Sequence, residues 1–147
     1  MATRTARTDW TGSLNEGGGE VDLISSRAGR FPVSFPRRTS DDAAGVTSPE
    51  ELIAAAHSSC FAMALSGEIA TAGGTPRSLE VTADVTLRPA AGGGLEITTS
   101  ALTVRGEVDG LDEAAFTAAA EKAKAGCPVS KALAGVTITL DATLLTA

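Results

Sequence analysis

The segment from Ser48 to about Thr71 constrains the fold more than any other part of the chain. It opens with a serine, a proline and, at residue 51, a glutamate. A serine N-cap, a proline at the first helical position and a glutamate at the third form a capping box, which predicts the start of a helix. Glycines at 73 and 74 then end it. Apolar residues lie on nearly every side of this predicted helix, so other elements must cover it on several sides.

Alternating apolar residues predict strands on both sides of this helix. The predicted order is two short strands within 8–36, a charged loop over 36–47, the helix, a hairpin of 81–88 with 95–108, a helix over 111–125, a short helix after Cys127 and a last strand over 136–144. A change of apolar parity between residues 95–97 and 102–104 predicts either a β-bulge in the second hairpin strand or a change in the layer that covers it. Because strand and helix do not alternate regularly, this order predicts an α+β fold in which an antiparallel sheet packs against helices.

The composition limits the classes of function. The 147 residues correspond to a single domain over 1–147. One small sheet of such a chain covers the apolar helix poorly, so we expect a homodimer in which a second copy supplies part of the burial. The net charge of −6 has the wrong sign for nucleic-acid binding. We find no signal-peptide pattern and no long uninterrupted apolar stretch, which predicts a cytoplasmic protein that does not enter the membrane.

Two cysteines are too few for a disulfide scaffold and instead indicate thiol chemistry or metal binding. Cys127 follows the glycine that ends a predicted helix and is the N-cap of the next, where unpaired amides lower a thiol pKa. Cys60 lies in the middle of the first helix and needs a cation to become a thiolate. Arg37 and Arg38, in the preceding loop, are the obvious source. The alternative for Cys60 is a small core residue.

His57 precedes Cys60 by three residues, so both lie on one side of the helix. It is a candidate base or metal ligand. With Cys60 and Cys127 it forms a possible zinc site, which Glu50 could complete. The simpler interpretation is a hydrogen-bonded histidine in the core.

The two glutamates at the helix start have different predicted roles. Glu51 is expected to accept the N-cap amide hydrogen bond of the capping box. Glu50 is free to hold an arginine of the preceding loop in a bidentate pair and to orient it toward the cysteine. Alternatively, Glu50 is simply a favourable charge at a helix N-terminus.

The run SPEELIAAAHSSCF over 48–61 and the run KAKAGCPVSK over 122–131 closely resemble the osmotically inducible protein C and organic hydroperoxide resistance (OsmC/Ohr) family. The Ala-Ala-His and Cys-Pro-Val-Ser segments are more similar to the osmotically inducible branch. The resemblance extends along essentially the whole chain. It implies an intertwined α+β homodimer with a long central helix and two active sites at the subunit interface.

The resemblance also implies a function and residue roles. The family members are thiol-dependent peroxidases that reduce organic hydroperoxides, and hydrogen peroxide more weakly, in oxidative and osmotic stress defence. Cys60 matches the peroxidatic cysteine, which becomes a sulfenic acid, and Cys127 matches the resolving cysteine, which forms a disulfide with it. Glu50 matches the glutamate that positions the catalytic arginine. We favour Arg38 for that arginine, with Arg37 as the alternative.

The resemblance further implies that no cofactor is bound and that an external dithiol reopens the disulfide. Dihydrolipoyl groups on lipoylated acyltransferase proteins are the expected reductant. We expect an apolar pocket for alkyl tails, built from Phe61, Met63 and either Phe31 or Phe35. A zinc-binding or regulatory thiol protein that uses Cys60, His57 and Cys127 is the second hypothesis, and a fold relative without catalysis is the third.

Overall fold

The computed structural model describes residues 1–145. These residues divide into two compact units, one over residues 1–52 and one from residue 53 onward. The elements are β1 (Arg7–Thr11), β2 (Gly18–Asp22), β3 (Arg30–Val33), α1 (Phe35–Arg38), α2 (Pro49–Thr71), β4 (Thr75–Pro89), β5 (Leu95–Asp109), α3 (Glu113–Gly126), α4 (Pro128–Ala132) and β6 (Thr137–Leu144). The assignment of residues 1–147 to one domain stays a prediction.

The first unit contains an antiparallel sheet of β1, β2 and β3 in chain order. The sequence predicted two strands here, which is wrong. The missed strand is β1, whose residues are all exposed and therefore lack the alternation that marks a half-buried strand. The prediction of a loop over 36–47 is also corrected, because the single helical turn α1 occupies its first residues. Ser34 caps this turn by accepting a hydrogen bond from the backbone N–H of Arg37.

The predicted helix is present as α2, and half of its capping box is confirmed. The Ser48 hydroxyl accepts a hydrogen bond from the backbone N–H of Glu51 at 3.2 Å. The Glu51 carboxylate, however, accepts a hydrogen bond from the Thr47 hydroxyl. The expected bond to the N-cap amide is therefore replaced by one to a side chain just before the helix.

Helix α2 is 23 residues long and apolar enough to cross a membrane by length and composition alone, a test that the core helix of a soluble protein also passes. Only 22% of its most apolar window is buried within the single chain. Met63, near its middle, is 70% exposed. A second copy that covers this helix, and the central position of the helix between two copies, stay predictions.

The second unit contains a sheet with the order β4, β5, β6. β4 and β5 form the predicted antiparallel hairpin. The predicted bulge is confirmed: Thr86 pairs with Thr99 and Leu87 pairs with Ile97, which leaves Thr98 as the extra residue. The prediction of a purely antiparallel sheet is wrong for the last strand, because β6 runs parallel to β5 and the sheet is mixed. The chain leaves β5, passes through α3 and α4 and returns in the same direction, as in a crossover connection.

The core of the second unit joins α2, the sheet and α3. Phe61, Leu65 and Ile69 recur every four residues on one side of α2 and are fully buried. They belong to one cluster with buried residues of β5 and α3, among them Leu102 and Phe116. This packing holds the side of α2 that carries Phe61 against the core. Cys60 is the residue just before Phe61 in the chain.

Candidate active site

The two cysteines of the second unit lie in contact. Cys60 is on α2, and Cys127 is the residue between α3 and α4. Their Sγ atoms are 3.0 Å apart, and both are free thiols. A disulfide bond is about 2.05 Å long, so a movement of roughly 1 Å would bring the sulfur atoms to bonding distance. The fold therefore brings together two thiols that are 67 residues apart in sequence.

The environments of the two thiols differ. Burial raises the pKa of Cys60, and the contact with Cys127 raises it further. Burial alone would also raise the pKa of Cys127. The neighbouring polar groups, the Cys60 thiol first and then the backbone N–H and hydroxyl of Ser130 and the backbone N–H of Val129, favour the thiolate and lower the pKa of Cys127 overall. The lower pKa at Cys127 agrees with its position as the N-cap of α4.

His57 lies one turn before Cys60 on α2 and is fully buried. Its Nδ1 is 2.7 Å from the Ser100 Oγ, and its Nε2 is 2.9 Å from the Ser130 Oγ. Burial lowers the pKa of His57, so the ring is neutral near pH 7. The interpretation of His57 as a hydrogen-bonded core residue is confirmed.

This arrangement disfavours the proposed zinc site. Both ring nitrogens of His57 already have serine partners, so the ring offers no free lone pair to a metal ion. Within residues 1–145, no three histidine, cysteine or carboxylate side chains lie together in a way that would hold a metal. Glu50, the suggested fourth ligand, is bonded to an arginine.

That arginine is Arg38, in the first unit. Its Nη2 is 2.7 Å from Glu50 Oε1, and its Nε is 3.1 Å from both carboxylate oxygens. Glu50 is 7% exposed, whereas the Arg38 side chain is 29% exposed. Arg37 is exposed and reaches only the backbone oxygen of Asp42, at 3.4 Å. Of the two adjacent arginines, the structure pairs Arg38 with Glu50.

The pair changes the titration of both groups. The hydrogen bond to Glu50 raises the pKa of Arg38. Burial by itself raises the pKa of Glu50, but the hydrogen bonds from Arg38, from its own backbone N–H and from Ser48, together with the charge of Arg38, lower it overall. The result is an ion pair that is fully charged at neutral pH, with part of the guanidinium still accessible.

A cavity of about 410 Å³ in the first unit borders Arg38. Its walls are mostly apolar, formed by Thr8, Trp10, Leu14, Val21, Val33, Ser34, Phe35, Pro49 and Leu52 beside Arg38. Of the predicted pocket residues only Phe35 lines it. Phe61 is packed in the core of the second unit and Met63 is exposed, so neither lines this cavity; of the alternatives Phe31 and Phe35, it is Phe35 that does.

The sequence analysis did not identify several residues that line the cavity or that surround His57. Trp10 and Leu14 are exposed in a segment without a regular apolar period, although the single tryptophan of the chain was a usable signal. Ser100 carried no signal, because serine is common in every kind of structure, and Ser130 was noted only as part of the Cys-Pro-Val-Ser segment, which does not indicate a histidine partner. Only the fold brings these two hydroxyls to His57.

Comparisons with known proteins agree on the family. The family model described as "OsmC-like protein" matches residues 41–141. Peroxiredoxin OsmC of Escherichia coli is 41% identical over 138 residues, which cover 94% of each chain. An organic hydroperoxide resistance protein from Elizabethkingia anophelis is 28% identical, with a TM-score of 0.74 over 100% of this chain and 98% of that one. The organic hydroperoxide resistance protein OhrB of Bacillus subtilis is 26% identical, with a TM-score of 0.72 over 95% and 98%. The match of the family model over residues 41–141 and the 41% identity over 94% of the chain show that this chain belongs to the OsmC-like family.

Proposed function

We propose that this protein reduces organic hydroperoxides to alcohols, and hydrogen peroxide more weakly, through a Cys60 sulfenic acid and a Cys60–Cys127 disulfide. Membership of the OsmC-like family, with a peroxiredoxin at 41% identity, gives the enzyme class as a thiol-dependent peroxidase. The observation that carries the proposal is the 3.0 Å separation of the two Sγ atoms. The cellular role that follows is defence against oxidative and osmotic stress in the cytoplasm.

The first step is attack by the Cys60 thiolate on the terminal oxygen of the hydroperoxide. The O–O bond breaks, the sulfur gains a hydroxyl group and becomes a sulfenic acid, and the alkoxide takes up a proton and leaves as an alcohol. Cys60 is assigned this step because its side chain is accessible in part, whereas Cys127 is fully buried. Access to the peroxide outweighs the lower pKa of Cys127, since a buried thiolate does not meet a bulky substrate.

Arg38 is proposed to supply the cation that Cys60 requires. A guanidinium beside the thiol favours the thiolate, and it donates hydrogen bonds to the peroxide oxygens as negative charge develops on them. Glu50 holds the guanidinium through Nε and Nη2, so the fork keeps one orientation while Nη1 is left for the substrate. Arg38 and Glu50 are thus proposed as catalytic and positioning residues of the first step.

In the second step, the sulfenic acid of Cys60 and the thiol of Cys127 form a disulfide. The Cys127 sulfur attacks the Cys60 sulfenic acid, a disulfide forms, and the hydroxyl of the sulfenic acid leaves with the thiol proton as water. An external dithiol then reopens the disulfide by exchange and is itself oxidised to a disulfide. We propose dihydrolipoyl groups on lipoylated acyltransferase proteins for this role, so the cycle needs no bound cofactor.

The cavity beside Arg38 supports the substrate class. Its walls are mainly aliphatic and aromatic, and its charged group is the arginine proposed to bind the peroxide oxygens. An alkyl tail in this cavity would remove apolar surface from water at about 25 cal/mol per Å². Hydrogen peroxide has no such tail, which accounts for its weaker reaction. In the proposed homodimer, each of the two active sites lies at the subunit interface.

The proposal is tested by single-turnover reactions of the reduced protein with one equivalent of tert-butyl hydroperoxide. The unmodified protein should lose both thiols as an intramolecular disulfide, and faster than with hydrogen peroxide. Cys60→Ser should not react, because the attacking sulfur is gone. Cys127→Ser should consume one equivalent and stop at a sulfenic acid, which mass spectrometry detects after trapping with dimedone. Equal peroxide consumption by all three proteins would refute the proposal.

A further inference from the structure

Helix α4, which begins directly after Cys127, buries little apolar surface. It is five residues long, far shorter than a helix that is stable by itself. Among its residues, 128–132, Ser130 is the buried one, Val129 is half-buried and the other three are exposed. The side chain that α4 inserts into the protein is therefore polar, and a buried hydroxyl needs a hydrogen-bond partner.

That partner is His57 of α2, a residue that has no part in the proposed cycle. The Ser130 Oγ is 2.9 Å from His57 Nε2. The other ring nitrogen, Nδ1, is 2.7 Å from the Ser100 Oγ on β5, the central strand of its sheet. His57 and Ser100 are fully buried, so water does not compete for these bonds. His57 thus connects α4 both to α2 and to the sheet.

Two contacts of the same spacing join α2 to the segment that starts at Cys127. His57 and Cys60 are three residues apart on α2, which places them on one side of that helix. Cys127 and Ser130 are also three residues apart. The His57–Ser130 contact is 2.9 Å and the contact between the two sulfurs is 3.0 Å. The bond to Ser130 therefore lies one helical turn away from the two thiols.

Cys127 itself lies between two helices. Its backbone N–H donates to the Ala123 carbonyl of α3 at 2.8 Å, and its carbonyl accepts from the Lys131 N–H of α4 at 3.1 Å. Its side chain makes no capping hydrogen bond to α4 and contacts Cys60 instead. The position of its sulfur therefore depends on how both helices are held. Helix α3 is held by apolar residues of the core, whereas the buried side chain of α4 is Ser130.

We propose that His57 is a positioning residue which, through its bond to Ser130, holds the first turn of α4 so that the Cys127 sulfur stays opposite the Cys60 sulfur. The inference rests on the proposed function, because it deepens the second step of that cycle. Two groups that are held in place have a high effective concentration, since little freedom remains to be lost when they react. We therefore expect this bond to speed disulfide formation and to stabilise the disulfide.

The chemistry of the ring suits a permanent link. A neutral imidazole has one nitrogen that donates and one that accepts, and a serine hydroxyl can do either. The two serines therefore satisfy the ring in both of its tautomers. Burial lowers the pKa of His57 and keeps the ring neutral near pH 7, so the link carries no unpaired buried charge.

The first test measures the thiol–disulfide equilibrium in mixtures of reduced and oxidised dithiothreitol, without peroxide. Oxidised dithiothreitol takes up the two thiol hydrogens and is reduced, while Cys60 and Cys127 form their disulfide. In Ser130→Ala, half-oxidation should require a ratio of reduced to oxidised dithiothreitol at least about tenfold lower, which is a reduction potential about 30 mV higher. His57→Leu should have a similar effect. The double variant should add little to either single one, because both changes remove the same contact.

Ser100→Ala is the matched control for Ser130→Ala. It removes a buried hydroxyl from the same ring, but that hydroxyl belongs to β5 and leaves the His57–Ser130 contact in place. Urea unfolding of the reduced proteins should show similar losses of stability in the two variants, whereas the potential should shift mainly in Ser130→Ala. Equal shifts of potential would indicate a general loosening of the core and would overturn the inference. An unchanged potential in Ser130→Ala would also overturn it.

The second test is a single turnover with tert-butyl hydroperoxide, followed by rapid quenching and mass spectrometry. Ser130→Ala should form the Cys60 sulfenic acid at the normal rate and the disulfide at least about tenfold more slowly. Disulfide formation at the normal rate would contradict the inference. If the unmodified protein forms the disulfide with dithiothreitol but consumes no peroxide, the proposed function fails and the potentials alone decide the role of His57. An unmodified protein that forms no intramolecular disulfide in either test would overturn both.

Discussion

Arg37 and Arg38 stand side by side on one helical turn but face different surroundings. Arg38 holds Glu50 through a fork of two nitrogens, whereas Arg37 extends over the surface. Lysine preserves the charge but not the fork, so Arg38→Lys should lower the rate constant for tert-butyl hydroperoxide reduction by about 10²-fold. Arg37→Lys is the matched control and should keep the rate. Equal losses in the two variants would contradict the assignment of Arg38.

His57 should make the folded protein sensitive to mild acid. Its pKa is lowered by burial, so the unfolded chain binds the proton more tightly than the folded one. The stabilisation by the neutral ring is complete above the unfolded value of about 6.5 and is lost as the pH falls toward the lower folded pKa. Urea unfolding at fixed protein concentration should show this decline, and His57→Gln should flatten it. An identical pH dependence in that variant would exclude His57 as its cause.

At the residue scale, the pairing of two side chains with matching hydrogen-bond geometry was predictable from sequence. Glu50 was expected to hold a loop arginine because a carboxylate and a guanidinium match in a bidentate pair, and the structure contains that pair with Arg38. The partners of His57 were not predictable. Ser100 and Ser130 lie 43 and 73 residues away from it, and nothing local to a serine reports which distant ring it will meet.

The contact between β5 and α3 depends on a residue without a side chain. A Cβ added to Gly106 would lie 2.8 Å from the ring of Phe116 and 3.0 Å from Leu79. Gly106→Ala should therefore lower the free energy of unfolding by about 1–3 kcal/mol, because a packed core does not yield to extra volume. Gly92→Ala, in the hairpin loop with open space around it, is the control and should have little effect in the same denaturant titration. A stable Gly106→Ala protein would show that the ring moves freely.

At the element scale, local patterns located most elements but not their pairing. The capping residues at Ser48 and the parity change in β5 are local signals, and the helix start and the bulge were found. β6 alternates like any half-buried strand, and alternation is the same whether a strand runs parallel or antiparallel to its neighbour. Its direction is set by the crossover through α3 and α4, which is why the antiparallel prediction failed.

The surface of α2 leads to a prediction for the whole molecule. Met63 is 70% exposed on a helix that is apolar nearly all round, and a second copy is expected to cover it. Light scattering should give twice the chain mass of 14.7 kDa for the unmodified protein. Met63→Glu should shift it toward the monomer, because a buried unpaired charge is costly. Leu95→Glu, at an exposed hairpin end, is the control and should stay dimeric. A monomeric unmodified protein would refute the expectation.

The sequence separation of the two thiols has a consequence for how long each redox form survives. Closing a loop of 67 residues restricts the unfolded chain, which by chain entropy alone favours the folded state by about 4 kcal/mol. The oxidised protein cannot reduce a peroxide until a dithiol opens its disulfide. Because of this stabilisation, proteases should degrade the oxidised form more slowly than the reduced form. When the dithiol is scarce, inactive oxidised enzyme would then build up instead of being degraded. It would regain activity once the dithiol is supplied again.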